Sequence, residues 1–344
     1  MLKYPDNFHE NQKIYFEYLK KKSWDAILNY APPMISIPYG TQCNAFCTFC
    51  QRQTNPDLIP DDNSLPLVIK SMEKFMKLSS SVYLSDWGEP GVAKYFTRVV
   101  NKLNSLIEED VTVGFATNCS KLTKSMINIL FDGKPRFVII SLNAFNRKDY
   151  FEVMGIDAFE TTISNIIYLI NCKNTLKENI NLNIFISIVL TSQNYNKLLN
   201  FVKLAIDLHV DGIIIEEFIQ FHNELKHLLI NKKHNSIHKI YLKSLSFAQK
   251  NRLPMITVQN SWYLNPPREK SDIFWCEEPW KSFRVNSSGD VFPCCYLNYS
   301  CGNVLKNTPE EIWNGKSYKM LRQQWINDDL KSSCLKCKKR WFPN

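Results

Sequence analysis

The sequence predicts an α/β protein built on a parallel sheet, followed by a smaller α+β unit. Strand-sized apolar segments alternate with helical ones from residue 34 to residue 250. A loop directly after the first strand carries three cysteines, and six of the eleven cysteines fall between Cys276 and Cys337. Strands alternating with helices are joined by right-handed crossovers and lie parallel. The 344 residues suffice for one large domain and an appendage.

Residues 8–28 have mixed helical spacing, with Lys and Glu between Phe8, Ile14, Tyr15, Tyr18 and Leu19. Ala31-Pro32-Pro33 stops that helix, so residues 1–33 form an amino-terminal extension. The first strand is 34–38. Strands at 82–85, 111–116, 137–142, 183–190 and 212–218 follow it, the fourth an apolar run of the kind buried on both faces. Helices are expected at 67–78, 95–107, around 125–130, at 161–170, 195–208 and within 224–250. This main unit spans 34–260. Pro266-Pro267 marks the passage into a last unit, 261–344, where Asn286–Gly289 reads as a hairpin turn.

Composition narrows the setting. Met1-Leu2-Lys3-Tyr4-Pro5-Asp6 lacks the apolar core of a signal peptide, and the apolar runs are strand-sized, so a cytoplasmic chain with no membrane partner is expected. Eleven cysteines in a reducing compartment point to metal rather than disulfides. The net charge of +9 is scattered and reads as a solvated surface, with no nucleic-acid partner implied.

The chemistry starts at Cys43-Asn44-Ala45-Phe46-Cys47-Thr48-Phe49-Cys50. A structural zinc site takes four ligands, whereas three thiolates on one loop can hold three irons of a 4Fe–4S cube and leave the fourth open. A zinc knuckle completed by a distant residue is the alternative. This C-x3-C-x2-C spacing resembles that of the radical S-adenosylmethionine (SAM) enzymes. The resemblance implies a partial (β/α)6 barrel with chemistry at the carboxyl ends of its strands. It also implies a SAM-binding 4Fe–4S cluster on Cys43, Cys47 and Cys50, with Phe46 shielding the cluster and Phe49 near the adenine.

Other motifs stand at strand ends. Gly88-Glu89-Pro90 resembles the family segment that meets the SAM ammonium. Ser141 and Asn143 match positions used on the SAM ribose and carboxylate, and Glu216-Glu217 ends the sixth strand. Relatives often have Thr-Asn-Gly where this chain has Thr117-Asn118-Cys119. Cys119 is therefore a candidate hydrogen donor to a substrate radical, against a small buried residue replacing glycine.

The last unit resembles the auxiliary-cluster domains called SPASM or twitch, through Gly289-Asp290-Val291-Phe292-Pro293-Cys294 and the closing Cys334-x2-Cys337. The resemblance implies one auxiliary 4Fe–4S cluster on Cys276, Cys294, Cys334 and Cys337, with Cys301 as the substitute ligand and Cys295 left out because adjacent strand side chains diverge. A zinc ribbon is the alternative. The family reading gives hydrogen abstraction from an unactivated C–H bond, for oxidation or epimerisation of a carbohydrate or aminocyclitol-type substrate. The alternatives are a peptide-modifying enzyme, a fold that binds clusters without catalysis, and a zinc-binding interaction protein. The enzyme reading also needs an electron donor such as flavodoxin or ferredoxin.

Overall fold

The computed structural model describes residues 4–21, 24–132, 135–175, 182–218, 223–230, 235–257, 276–295, 297, 299–335 and 337. Ten strands form one sheet: β1 (Met34–Ile37), β2 (Ser81–Leu84), β3 (Thr112–Thr117), β4 (Pro135–Ser141), β5 (Asn183–Leu190), β6 (Gly212–Glu217), β7 (Met255–Thr257), β8 (Ser282–Val285), β9 (Asp290–Phe292) and β10 (Gly302–Asn303). Their order is β10-β9-β8-β1-β2-β3-β4-β5-β6-β7. All the pairings from β1 to β7 are parallel. The six expected strands are present. β7 is a seventh, and three residues are too few to carry a readable pattern.

Helices follow the strands because apolar residues recur at helical spacing. Phe96–Leu106, for example, buries Phe96, Val99, Val100 and Leu103 against the sheet. The strands answer with Ile35, Ile37, Val138, Ile140, Ile184, Ile186, Ile213 and Ile215, all almost fully buried. Among the described residues no single helix is long and apolar enough to cross a membrane.

The carboxyl-terminal segment extends the same sheet. β8 lies parallel to β1, and β9 and β10 add antiparallel strands beyond it. The expected turn at 286–289 is there, with the Asn286 backbone N–H donating to Asp290 O at 3.0 Å. The first helix runs Phe8–Lys21 rather than to residue 28. Asn11 fixes it: its side chain accepts from Ala31 N at 2.8 Å and donates to Leu78 O at 2.9 Å. The stretch after that helix packs on the carboxyl-terminal segment, where Trp280 Nε1 donates to Asp25 O at 2.8 Å and Trp313 Nε1 to Tyr30 O at 2.9 Å. Arg322, fully buried, stacks on the Trp313 ring at 4.3 Å and donates to Pro279 O and Ala26 O.

Candidate active site

β1 delivers the chain to the carboxyl edge of the sheet, and the three-cysteine loop follows. Three neighbours hold that loop. The helix Arg147–Met154 ends beneath it, and its last carbonyls, which have no helical partner, take Phe46 N–H at 2.9 Å (Met154 O) and Thr48 N–H at 3.0 Å (Val153 O). Gly155 caps that helix at φ +68°, where a Cβ would lie 2.7 Å from the Phe46 Cβ. Both the left-handed conformation and the close approach demand glycine.

The second neighbour is the segment after β2. Glu89 N–H donates to Gln42 O at 2.7 Å, and Arg52 Nη1 bridges Thr41 O and Trp87 O at 2.5 and 2.7 Å. A Cβ at Gly88 would stand 2.3 Å from Gly40 O, so the two segments touch only because residue 88 lacks one. The third neighbour is the end of β3: Asn44 donates to Ser120 Oγ at 3.0 Å, and Asn118 donates to Asn44 Oδ1 at 3.1 Å. Arg52, Asn44, Gly155 and Met154 were not read as site residues from the sequence. Their roles depend on backbone carbonyls and neighbours brought in from elsewhere in the chain, which residue type alone does not announce.

Together these contacts enclose a cavity of about 380 Å³ at the strand ends. Cys43, Cys47 and Cys50 line it with Phe49, Gly88, Glu89, Ser141 and Asn143. Pro90 is buried and lies outside this lining. Ser187 and Glu216 line it too, with Ser187 Oγ donating to Glu216 Oε1 at 2.5 Å. Asn143 is 4% exposed; it accepts from Val189 N at 2.8 Å and reaches Met154 Sδ at 3.8 Å.

Glu89 is held by its neighbours in the chain. Its carboxylate accepts from Asn118 N at 2.7 Å, Gly91 N at 3.2 Å and the Thr117 hydroxyl, tying the ends of β2 and β3 together. Burial pushes its acid up to about 7, against the pull of those donors. Phe46 is 62% exposed, and its backbone N–H is held by Met154 O.

Cys119 does not fit the hydrogen-donor role. It is fully buried in the main apolar core and is absent from the cavity lining. Its φ of +61° explains the glycine expected there, because few side chains adopt that conformation.

The three thiols suit a cationic centre. Burial pushes Cys47 up to about 12, with Cys50 and Cys43 adding to the rise, and burial likewise raises Cys43. Thiolates there need a positive partner, which metal ions supply. Among the described residues no three Cys, His, Asp or Glu side chains gather around a single ion.

Cys276, Cys294, Cys334 and Cys337 line a second, small cavity together with Pro293, Leu321 and Trp325. These are the four residues expected from the sequence as auxiliary ligands, and they share one lining. Burial pushes Cys276 up to about 12. Cys301 is buried outside this lining and Cys295 is exposed. A groove of about 480 Å³ runs between the two centres. It shares Ser85, Asp86 and Trp87 with the first cavity, and Cys294 and Leu297 with the second.

Comparison with known proteins agrees with this layout. Residues 276–338 match the family described as SPASM, an iron-sulfur cluster-binding domain. The structure of Streptococcus suis SuiB bound to S-adenosylmethionine superposes with a TM-score of 0.67 at 19% identity, covering 95% of this chain and 74% of that one. That of anSMEcpe with bound AdoMet gives 0.59 at 17% identity, over 89% of this chain and 86% of that one. Among curated proteins, the tungsten-containing aldehyde ferredoxin oxidoreductase cofactor-modifying protein of Pyrococcus furiosus is 24% identical over 87% of this chain and 85% of its own length. The probable GTP 3′,8-cyclase of Saccharolobus solfataricus is 26% identical over 76% of this chain and 82% of its own length.

Proposed function

We propose that this chain, which has the fold of the SAM-bound structures and a SPASM iron–sulfur domain at its carboxyl end, is a radical SAM enzyme that oxidises a peptide-borne substrate. The observation that carries the reading is the groove joining the three-thiol cavity to the four-thiol cavity. When bound, SAM and the clusters supply a 5′-deoxyadenosyl radical at the first centre and an electron sink at the second.

The chain's own residues do the rest. Cys43, Cys47 and Cys50 would hold the first cluster, and Ser141, Asn143 and Phe49 line the space beside it for SAM. Cys276, Cys294, Cys334 and Cys337 would hold the second. A substrate in the groove lies between hydrogen abstraction and electron exit, the arrangement a net two-electron oxidation needs. Oxidation is preferred to epimerisation because the second centre offers an electron exit, while Cys119, the best-placed hydrogen donor by sequence, stands behind the cavity wall and leaves Cys295 of the groove lining as the thiol for the alternative.

Peptide is preferred to carbohydrate because structural neighbours include SuiB bound to precursor peptide SuiA and anSMEcpe bound to Cp18Cys peptide. Eleven cysteines in a chain read as metal-binding suit a reducing cytoplasm, with flavodoxin or ferredoxin as the electron source. Anaerobically reconstituted protein, given SAM and dithionite, should form 5′-deoxyadenosine, and a peptide substrate should lose two hydrogens by mass. A colourless protein holding zinc and no iron would overturn the reading.

A further inference from the structure

The groove contains a charged side chain that neither the cysteine centres nor the core explains. Arg284 lies on β8, opposite Ser36 of β1, which lies opposite Tyr83 of β2. Residues in register across parallel strands share a face, so Arg284, Ser36 and Tyr83 form a polar row. Their neighbours along the strands, Phe283, Ile35, Ile37, Val82 and Leu84, are buried and apolar. Arg284 and Ser36 line the groove, while Tyr83 lines the adjoining cavity. Of the three, Tyr83 stacks its ring on Phe137, 6.1 Å between centroids, which leaves Ser36 and Arg284 as the polar members facing the groove.

Arg284 is also under-bonded. Its Nε is buried with no hydrogen-bond partner, and its side chain is only 26% exposed. Its acidic neighbour, Glu278, stands 3.9 Å from Nη2 and already accepts from Ser282 Oγ at 2.5 Å. Glu278 lies outside the groove lining, and the acid within it, Asp86, accepts from Gly40 N, Ser287 Oγ and Trp87 N. A buried guanidinium N–H left unpaired is costly, and the planar fork fits a carboxylate or phosphate two bonds at a time.

We propose that Arg284 is the anion anchor of the substrate groove: its guanidinium takes an anionic group of the substrate and so sets the substrate's reach toward the three-thiol cavity. This rests on the function proposed above. The anion is a carboxylate if it belongs to a peptide's side chain or terminus, and a phosphate if it belongs to a small phosphorylated metabolite. The two share the same two-pronged recognition.

The test is calorimetric titration of the cluster-loaded protein with succinate, inorganic phosphate, and a short peptide carrying a free or an amidated terminus. Saturable binding of at least one anion is expected, weakened about tenfold or more by Arg284→Gln and less by Arg284→Lys. Iron content is the check that both variants fold. Preference for succinate and the free-terminus peptide assigns the carboxylate; preference for phosphate assigns the phosphorylated metabolite. Absence of saturable binding, or equal binding by Arg284→Gln, overturns the anchor. The formation of 5′-deoxyadenosine by the wild-type protein is scored separately, so loss of the anchor alone is distinguished from failure of the functional reading.

Discussion

Ser287 donates its hydroxyl to the Asp86 carboxylate at 2.6 Å, joining the β8–β9 turn to the segment after β2 across 201 residues. Asp86 also accepts from Gly40 N at 3.0 Å and Trp87 N at 2.8 Å, and burial raises its acid despite these donors. Ser287→Ala removes one of three bonds and is expected to cost about 1 kcal/mol, whereas Asp86→Ala strands three donors and costs about 3 kcal/mol. Urea midpoints on the two variants check the ordering. Equal losses would show that the carboxylate is not the hub.

Gly155→Ala is expected to unseat the three-thiol loop. The new methyl meets Phe46 at 2.7 Å in a left-handed conformation, φ +68°, and the combined strain is about 2 kcal/mol or more. Iron content and visible absorbance after reconstitution should fall in this variant, with the four-thiol centre retained.

Glu89 gives the apo-protein a pH signature. Burial raises its acid from 4.5 to about 7, so between these values the folded chain keeps a proton that the unfolded chain has released. Its contribution to stability is complete below about 4.5 and is lost as pH rises toward 7. The loss is about 3 kcal/mol at 1.4 kcal/mol per unit. Glu89→Gln removes the titration. Denaturation at pH 5 and pH 7.5 should show the wild type losing more stability than the variant over this interval.

The cysteines divide by role. Cys276→Ser and Cys337→Ser should lower iron from about eight to about four atoms per chain, and Cys301→Ser should leave it unchanged. Cys119→Ala should retain 5′-deoxyadenosine formation and substrate turnover, since its thiol lies outside the cavity. Lost turnover with intact iron would return Cys119 to the reaction.

How far the sequence could be read depended on range. The three-cysteine loop, Gly88, Ser141 and Asn143 stand at or soon after the ends of apolar strands, a position local pattern makes legible, while their selection as site residues rested on the resemblance to the radical SAM enzymes. The meeting of Cys276 with Cys337 rested on the resemblance of the last unit to the cluster-binding SPASM domains, and the structure places them in one lining. What escaped was set by non-local partners. β7 is too short to show a period, and Glu89's engagement with Thr117 and Asn118 depends on the register of β2 against β3. Cys119 looked like a thiol at a barrel mouth because its backbone conformation, which turns it into the core, leaves no trace in residue type.

The pairing of β8 with β1 sets a timetable for assembly. β1 launches the three-cysteine loop, yet its second neighbour is a strand some 250 residues further along, Ser36 facing Arg284. Until residues 282–284 leave the ribosome, β1 presents an unpaired edge, a template for pairing with other chains. Closing so long a loop is slow relative to local helix formation. The first metal centre, though encoded near the start of the chain, can reach its final frame only after nearly all of the protein has been synthesised.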